Sequence, residues 1–247
     1  MKLIKQFFTL LAFVPMAAAA SGGAEIRLDK APVNLSDKGS LQRGAKMFVN
    51  YCLSCHSASY MRYSRLQDLG LTEEQIKNNL LFTGEKVGDT MTVAMNYKDA
   101  KQWFGAAPPD LSVIARSRSP DWLYTYLRSF YRDPSRPTGW NNIAFDKVGM
   151  PHVLATLQGE QVAHFKKVID HEGKEHEVFD RFELVKPGSV SQAQYDSMVG
   201  DLVNYLAWMA EPAKTKRMQT GLLVLAFLSI FFVIAYYLKK EFWKDVH

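Results

Sequence analysis

The chain has 247 residues, 30 lysines and arginines against 25 aspartates and glutamates, and a formal charge of +5. Setting aside an apolar segment at each end leaves roughly 195 residues, enough for one domain. The lysines gather partly at those two segments and form no basic stripe interleaved with aromatics, so nucleic acid is excluded as an expected partner, and there is neither an internal repeat nor a glycine-rich phosphate loop.

Residues 1–20 carry Lys2 and Lys5, an apolar run from Phe7 to Val14, and then the small residues Ala17 to Ala20. That order predicts a secretory signal peptide cleaved after Ala20, the run being too short to span a bilayer. The exported domain is expected over 21–212. Residues 21–35 form an extended arm. From Ser36 or Ser40 as cap, Leu41, Gly44, Ala45, Phe48 and Val49 recur at helical spacing and lead into Tyr51-Cys52-Leu53-Ser54-Cys55-His56.

Cys52 and Cys55 are the only cysteines. A structural zinc site needs four ligands, and no second cysteine pair or suitably spaced histidine pair completes one. A thioredoxin-like dithiol belongs in a βαβ pattern and has no use for the adjacent histidine. Covalent attachment of a c-type haem uses every residue: two thiols for the porphyrin vinyl groups and His56 for the iron. Export to an oxidising compartment agrees with that chemistry.

Further on, Thr72-Glu73-Glu74-Gln75 predicts a capping box and a helix ending near Gly84. Pro108-Pro109 predicts a rigid turn before a short helix, VIARSR. Ser119-Pro120-Asp121 opens a helix, WLYTYLRSFY, expected to reach Asp133. Residues 134–152, rich in Pro, Gly and Asn, read as one long functional loop. Residues 161–186 alternate around a His-Glu-Gly-Lys turn and predict a β-hairpin. Residues 191–209 form an amphipathic helix that can cross the first one and close a haem pocket. The domain is therefore mostly α. A linker over 213–220 precedes Gly221–Leu238, 18 residues without a charge, which as a helix would span roughly 27 Å. Residues 239–247 form a cytoplasmic tail, the orientation following from the signal peptide because the flanking charges are balanced.

An iron held by His56 needs a second axial ligand for electron transfer, and methionine raises the potential. Met91, Met95 and Met150 are placed to reach the iron. Met150 is favoured because Gly149 permits close backbone approach and Pro151 fixes the following turn; His152 is the bis-histidine alternative.

The chain resembles the cytochrome c1 family, the haem subunit of the ubiquinol–cytochrome c reductase (bc1) complex. The resemblance lies in CLSCH at 52–56, GAAPPDLSVIARSR at 105–118, RPTGWNNIAFDKVGMPHVL at 136–154, and LVNYLAWMAEP at 202–212 with one membrane helix after it. It implies a class I cytochrome c-like domain with insertions. It also implies one covalent haem c on Cys52 and Cys55, axial ligation by His56 and Met150, and a haem propionate paired with Arg116 or Arg118. The implied partners are cytochrome b, a Rieske iron–sulfur protein as electron donor, a cytochrome c as acceptor and membrane lipid, in a dimeric complex of the bacterial inner membrane with the haem domain in the periplasm.

Residues 157–190 depart from the family pattern. The histidines His164, His171 and His176 there are expected to be solvated rather than metal ligands. The acids Asp170, Glu172, Glu175, Glu177, Asp180 and Glu183 suggest a docking patch for a basic cytochrome, weakened by intervening lysines. Two rival functions are a haem subunit of a terminal oxidase or free-standing anchored cytochrome, and a haem enzyme or gas sensor with an open sixth position. The C-terminal anchor and the PPDLS and GMP motifs oppose the first; the single C-x-x-C-H motif opposes the second.

Overall fold

The computed structural model describes residues 26–93, 95–169, 173 and 175–245. The signal-peptide reading of residues 1–20 falls outside them, as do Asp170, His171 and Glu172. The arm from Ile26 is extended and pinned: Asp29 N–H donates to Thr125 Oγ1 at 2.9 Å, and Ala31 N–H to Asp121 Oδ1 at 2.8 Å. Helix α1, Lys38–Met47, is capped by the Asp37 carboxylate, which accepts from Ser40 N–H, so the capping residue is neither of the two serines expected. It continues into a π-helical turn, Phe48–Cys52, whose wider i→i+5 spacing appears in Leu53 N–H donating to Phe48 O at 3.0 Å.

Strand β1, Ala58–Arg62, and a 3₁₀ turn, Tyr63–Leu69, follow. Helix α2 spans Glu73–Asn79, and both halves of the predicted capping box form between Thr72 and Gln75. It stops short of Gly84, because Leu80 leaves helical geometry (φ −133°). Strand β2, Thr90–Met91, pairs antiparallel with β1, and helix α3, Tyr97–Phe104, is capped by Asn96; neither was expected from the sequence. Helix α4, Ile114–Ser117, lies in the VIARSR segment.

Helix α5, Pro120–Arg128, starts as predicted, with Ser119 capping Trp122 N–H. It ends five residues before Asp133. The Tyr126 carbonyl is taken by the Asn142 side chain at 2.8 Å, and Phe130–Arg132 becomes strand β3, paired antiparallel with β4, Trp140–Asn142. The expected 134–152 loop is thus a hairpin turn, a strand, and a shorter loop that carries Met150 and runs on to the next helix at Ala155. Helix α6, Ala155–Gln158, precedes strands β5, Gly159–Ile169, and β6, Glu175–Pro187, which form the expected hairpin.

Helix α7, Gln192–Ala210, crosses α1 at very short range. A Cβ added at Gly44 would lie 2.1 Å from the Asp201 carbonyl oxygen and 2.6 Å from Tyr205 Cβ, so only glycine allows the two backbones to meet there. The Arg43 guanidinium seals the crossing with two bonds to Asp201, at 2.6 and 3.0 Å, and Phe48 packs on Tyr205 at 5.7 Å between ring centroids. The Asn204 amide, fully buried on the same helix, donates to Asn34 O and Ser40 Oγ, tying the arm into the core. Helix α8, Lys214–Phe242, includes most of the expected linker and has its apolar span entirely exposed. Its 29 residues make about 43 Å at 1.5 Å each, longer than a bilayer's hydrocarbon core. It is the one helix among the described residues long and apolar enough to cross a membrane.

Candidate functional site: an apolar cavity walled by Cys52, Cys55, His56 and Met150

A cavity of about 510 Å³ opens between α1's continuation, α5, α7 and the loops around Pro109 and Met150. Its walls are almost wholly apolar: Leu111, Ile114, Leu123, Leu127, Val148 and Val153 contribute, with Leu202 and Leu206 of α7. That volume and lining are those of a pocket for a sizeable, mainly apolar ligand. Cys52, Cys55 and His56 all line it. The π-helical turn delivers them: both Cys55 N–H and His56 N–H donate to Cys52 O, at 3.0 and 2.8 Å, in a tight turn that sets three functional side chains on one wall.

His56 is oriented by its second nitrogen. Nδ1 lies 2.7 Å from the Pro109 carbonyl oxygen; since that oxygen can only accept, Nδ1 carries the proton and Nε2 keeps its lone pair. Burial drives the ring's pKa below the ordinary histidine value, partly offset by the Pro109 bond and by Asp110. The imidazole is therefore neutral with one nitrogen free, the form a metal requires, and a backbone carbonyl on the other nitrogen is the usual outer partner of a ligating histidine. The rigid Pro108-Pro109 turn supplies that carbonyl. It is held in turn by Leu111 N–H donating to Ser57 O at 2.8 Å and by Asp110, which accepts from Ser59 N–H at 2.8 Å.

Cys52 and Cys55 are free thiols. Burial, and then the neighbouring Cys55, pushes the Cys52 thiol up to about 12. A thiol so held is the opposite of the low-pKa nucleophile a dithiol oxidoreductase needs. Among the described residues there is no cluster of three or more His, Cys, Asp or Glu side chains that could hold a metal ion, so the zinc reading has no support either.

Met150 is the one methionine among the described residues that line the cavity. Met91 is fully buried elsewhere, near the Tyr205 hydroxyl, and neither it nor Met95 reaches the cavity wall. His152, the bis-histidine alternative, points away from it: the ring is buried, stacked on Phe130 at 4.8 Å and edge-on to Trp140 at 5.0 Å. Gly149 serves close approach as expected, since a Cβ there would come within 3.0 Å of the Phe104 carbonyl. The sequence did not single out Tyr126, whose hydroxyl donates to the Met150 sulfur at 3.4 Å. Burial holds that phenol well above its usual pKa, so it remains a donor at any working pH. Its only sequence signal was a place on the apolar face of α5.

The two arginines separate. Both are exposed, but Arg118 lines the cavity, its guanidinium 5.2 Å from the Trp122 ring centre, whereas Arg116 is not part of the wall. None of the described hairpin residues lines the cavity; across the ribbon Lys166 pairs with Asp180 and Lys167 with Glu175, and His164 Nε2 lies 2.7 Å from Glu183 Oε2. Two of the six acids of the suggested docking patch, Glu175 and Asp180, are thus paired with lysines.

A sequence model of the Cytochrome C1 family matches residues 29–246. The chain is 51% identical over its whole length to a protein of Allochromatium vinosum named cytochrome c1, covering 99% of that protein. It is 49% identical, over the full length of both, to a Nitrosomonas europaea protein named ammonia monooxygenase gamma subunit. More distantly, 87% of it aligns at 27% identity with 34% of a Bradyrhizobium diazoefficiens protein named cytochrome b/c1. Cavity, motif, C-terminal membrane helix and family match agree: the chain belongs to the cytochrome c1 family, and it is a membrane-anchored c-type cytochrome of the bc1 complex carrying one covalently bound haem c.

Proposed function

We propose that this chain relays single electrons from a Rieske-type iron–sulfur protein to a cytochrome c, with Cys52 and Cys55 as the thioether attachments and His56 and Met150 as the axial ligands. The observation that carries this reading is one apolar cavity walled by both thiols, a neutral imidazole with a free nitrogen, and a single thioether. The haem supplies the redox step, gaining and losing one electron at iron; the chain's residues set where and at what potential. Pro109 holds the His56 ring in one tautomer. Met150 offers a soft sulfur that favours ferrous iron, and Tyr126 draws electron density from that sulfur through its hydrogen bond. The apolar wall excludes water, which disfavours the extra positive charge of the oxidised state.

Arg118, rather than Arg116, is assigned to a propionate, because it alone of the two reaches the cavity. At the mouth, Ala106 and Phe145 are solvent-exposed while still lining the cavity, a small apolar rim against which a redox partner can bring its own cofactor close. Cytochrome b is the membrane partner, a reading supported by the relative in which b and c1 share one name and one chain. The haem domain faces the periplasm and residues 239–247 the cytoplasm. Rapid mixing of the purified complex with quinol tests the relay: the haem should be reduced after the iron–sulfur centre and reoxidised when a cytochrome c is added. A haem that stays oxidised while the iron–sulfur centre and an added cytochrome c both become reduced would show that the electron bypasses this chain.

A further inference from the structure

We propose that Asn142 is a positioning residue for Met150: its carboxamide fixes the ligand loop to the helix whose tyrosine bonds the ligand sulfur. The inference rests on Met150 being the axial ligand and adds how that ligand is kept in place. Asn142 is 1% exposed, and both polar atoms of its side chain are bonded. Nδ2 donates to the Tyr126 carbonyl at 2.8 Å. Oδ1 accepts from Ala144 N–H at 2.8 Å, Phe145 N–H at 3.2 Å and Ser129 Oγ at 3.1 Å.

A residue that only capped α5 would spend its donor on the Tyr126 carbonyl and no more. Here the acceptor side binds two consecutive amides of the loop that reaches Met150 a few residues later. Tyr126 closes the ring, because the residue whose carbonyl Asn142 holds also gives its hydroxyl to Met150 Sδ at 3.4 Å. The neighbouring Asn141 braces the far half of the loop. Its Oδ1 accepts from Lys147 N–H at 2.8 Å, and its Nδ2 donates to Asp133 and Asp146 at 3.1 and 3.0 Å. Lys147 is thereby held at φ 58°, a left-handed conformation that a non-glycine residue adopts only when its surroundings impose it. From 142 to 150 the backbone is thus fixed at 144, 145 and 147, and packed tightly at Gly149. Such a loop presents its sulfur preorganised, and another ligand can displace Met150 only by breaking several part-buried bonds together.

The test compares Asn142→Ala with Asn204→Ala and Met150→Leu in the purified complex. Asn204 is as deeply buried and makes three side-chain hydrogen bonds of its own, but it lies at the α1–α7 crossing, off the cavity wall, so its variant reports general loosening. The readouts are the methionine–iron charge-transfer band of the oxidised haem and carbon monoxide binding to the reduced haem. Asn142→Ala should keep its covalent haem, weaken the band and raise carbon monoxide binding about tenfold or more, the expected shift for losing one or two net hydrogen bonds from the loop; Asn204→Ala should do neither. Carbon monoxide binding by Asn142→Ala no greater than that of wild type or of Asn204→Ala would overturn the inference. Should Met150→Leu keep the band, the ligand assignment itself fails; loss of the band in Met150→Leu with an unaltered Asn142→Ala sinks only the positioning role. If Asn142→Ala does not mature, Asn141→Ala takes its place with the same outcomes.

Discussion

Replacing Gly44 by alanine sets two effects of opposite sign against each other. In a solvent-exposed helix the change would stabilise by about 1 kcal/mol, because glycine is the poorest ordinary helix former. At this crossing the new methyl meets backbone: 2.1 Å to the Asp201 carbonyl oxygen, 2.8 Å to the Asp201 carbonyl carbon, and 2.6 Å to Tyr205 Cβ. None of these atoms can swing aside, so α1 and α7 must part by about 1 Å to restore ordinary contact distances. The Arg43–Asp201 pair and the Phe48–Tyr205 contact lie on the same seam and loosen with it. Overpacking of this kind costs about 3 kcal/mol, leaving a net loss of about 2 kcal/mol after the propensity gain. For a chain of this size that is about 4–8 °C in Tm. Thermal unfolding in detergent, followed by the haem Soret band and far-ultraviolet circular dichroism, measures it. A Gly44→Ala protein that unfolds at or above the wild-type temperature would refute the argument that the α1–α7 crossing closes this domain.

Tyr126→Phe removes the bond to the Met150 sulfur while keeping the ring's packing on Trp122 and Phe130. Without that withdrawal of electron density the ferric state gains, so the midpoint potential should fall by about 20–60 mV for a bond worth 0.5–1.5 kcal/mol; an unchanged or higher potential contradicts the role. His152 is held neutral, burial bringing its pKa down to about 4, with Gln158 opposing and Arg132 assisting. The unfolded chain binds this proton near pH 6.5, so between about pH 6.5 and 4 the unfolded state carries more protons. Stability should therefore fall on acidification, by up to about 1.4 kcal/mol per pH unit. His152→Phe should flatten that slope in denaturant titrations, and an unaltered slope would assign the acid sensitivity elsewhere. Truncation after Pro212 should release a soluble domain with its haem spectrum unchanged, since nothing among the described residues buries the span of α8; a fragment retained by the membrane after a salt wash opposes the single anchor.

The cysteine–histidine part of the cavity wall was legible because its spelling is local. Two cysteines and a histidine within five positions carry their own geometry, and the Gly149-Met150-Pro151 turn advertises a rigid side chain. The first and last helices were legible from apolar spacing, and Gly44 already stood among those positions. What could not be read were contacts made across the chain. The Pro109 carbonyl that orients His56 is a backbone atom 53 residues away, and proline-rich spelling indicates only a turn. Tyr126 looked like one more apolar position on α5. Asn141 and Asn142 looked like loop punctuation, yet their amides end α5 early, form β4 and brace the Met150 loop. Arg116 and Arg118 could not be told apart until α4's orientation placed one of them on the cavity wall.

A covalent haem c seated in the cavity between His56 and Met150 has a distinctive spectrum and potential. The most direct measurement is the oxidised absorption spectrum and redox titration of the wild-type protein beside Met150→Leu, a swap of similar volume that should cost the fold under ~1.5 kcal/mol. The wild type should show a methionine–iron charge-transfer band, and the variant should lose it together with a steep fall in potential and new carbon monoxide binding. A variant that keeps the band and the potential, and binds no carbon monoxide, would contradict ligation by Met150.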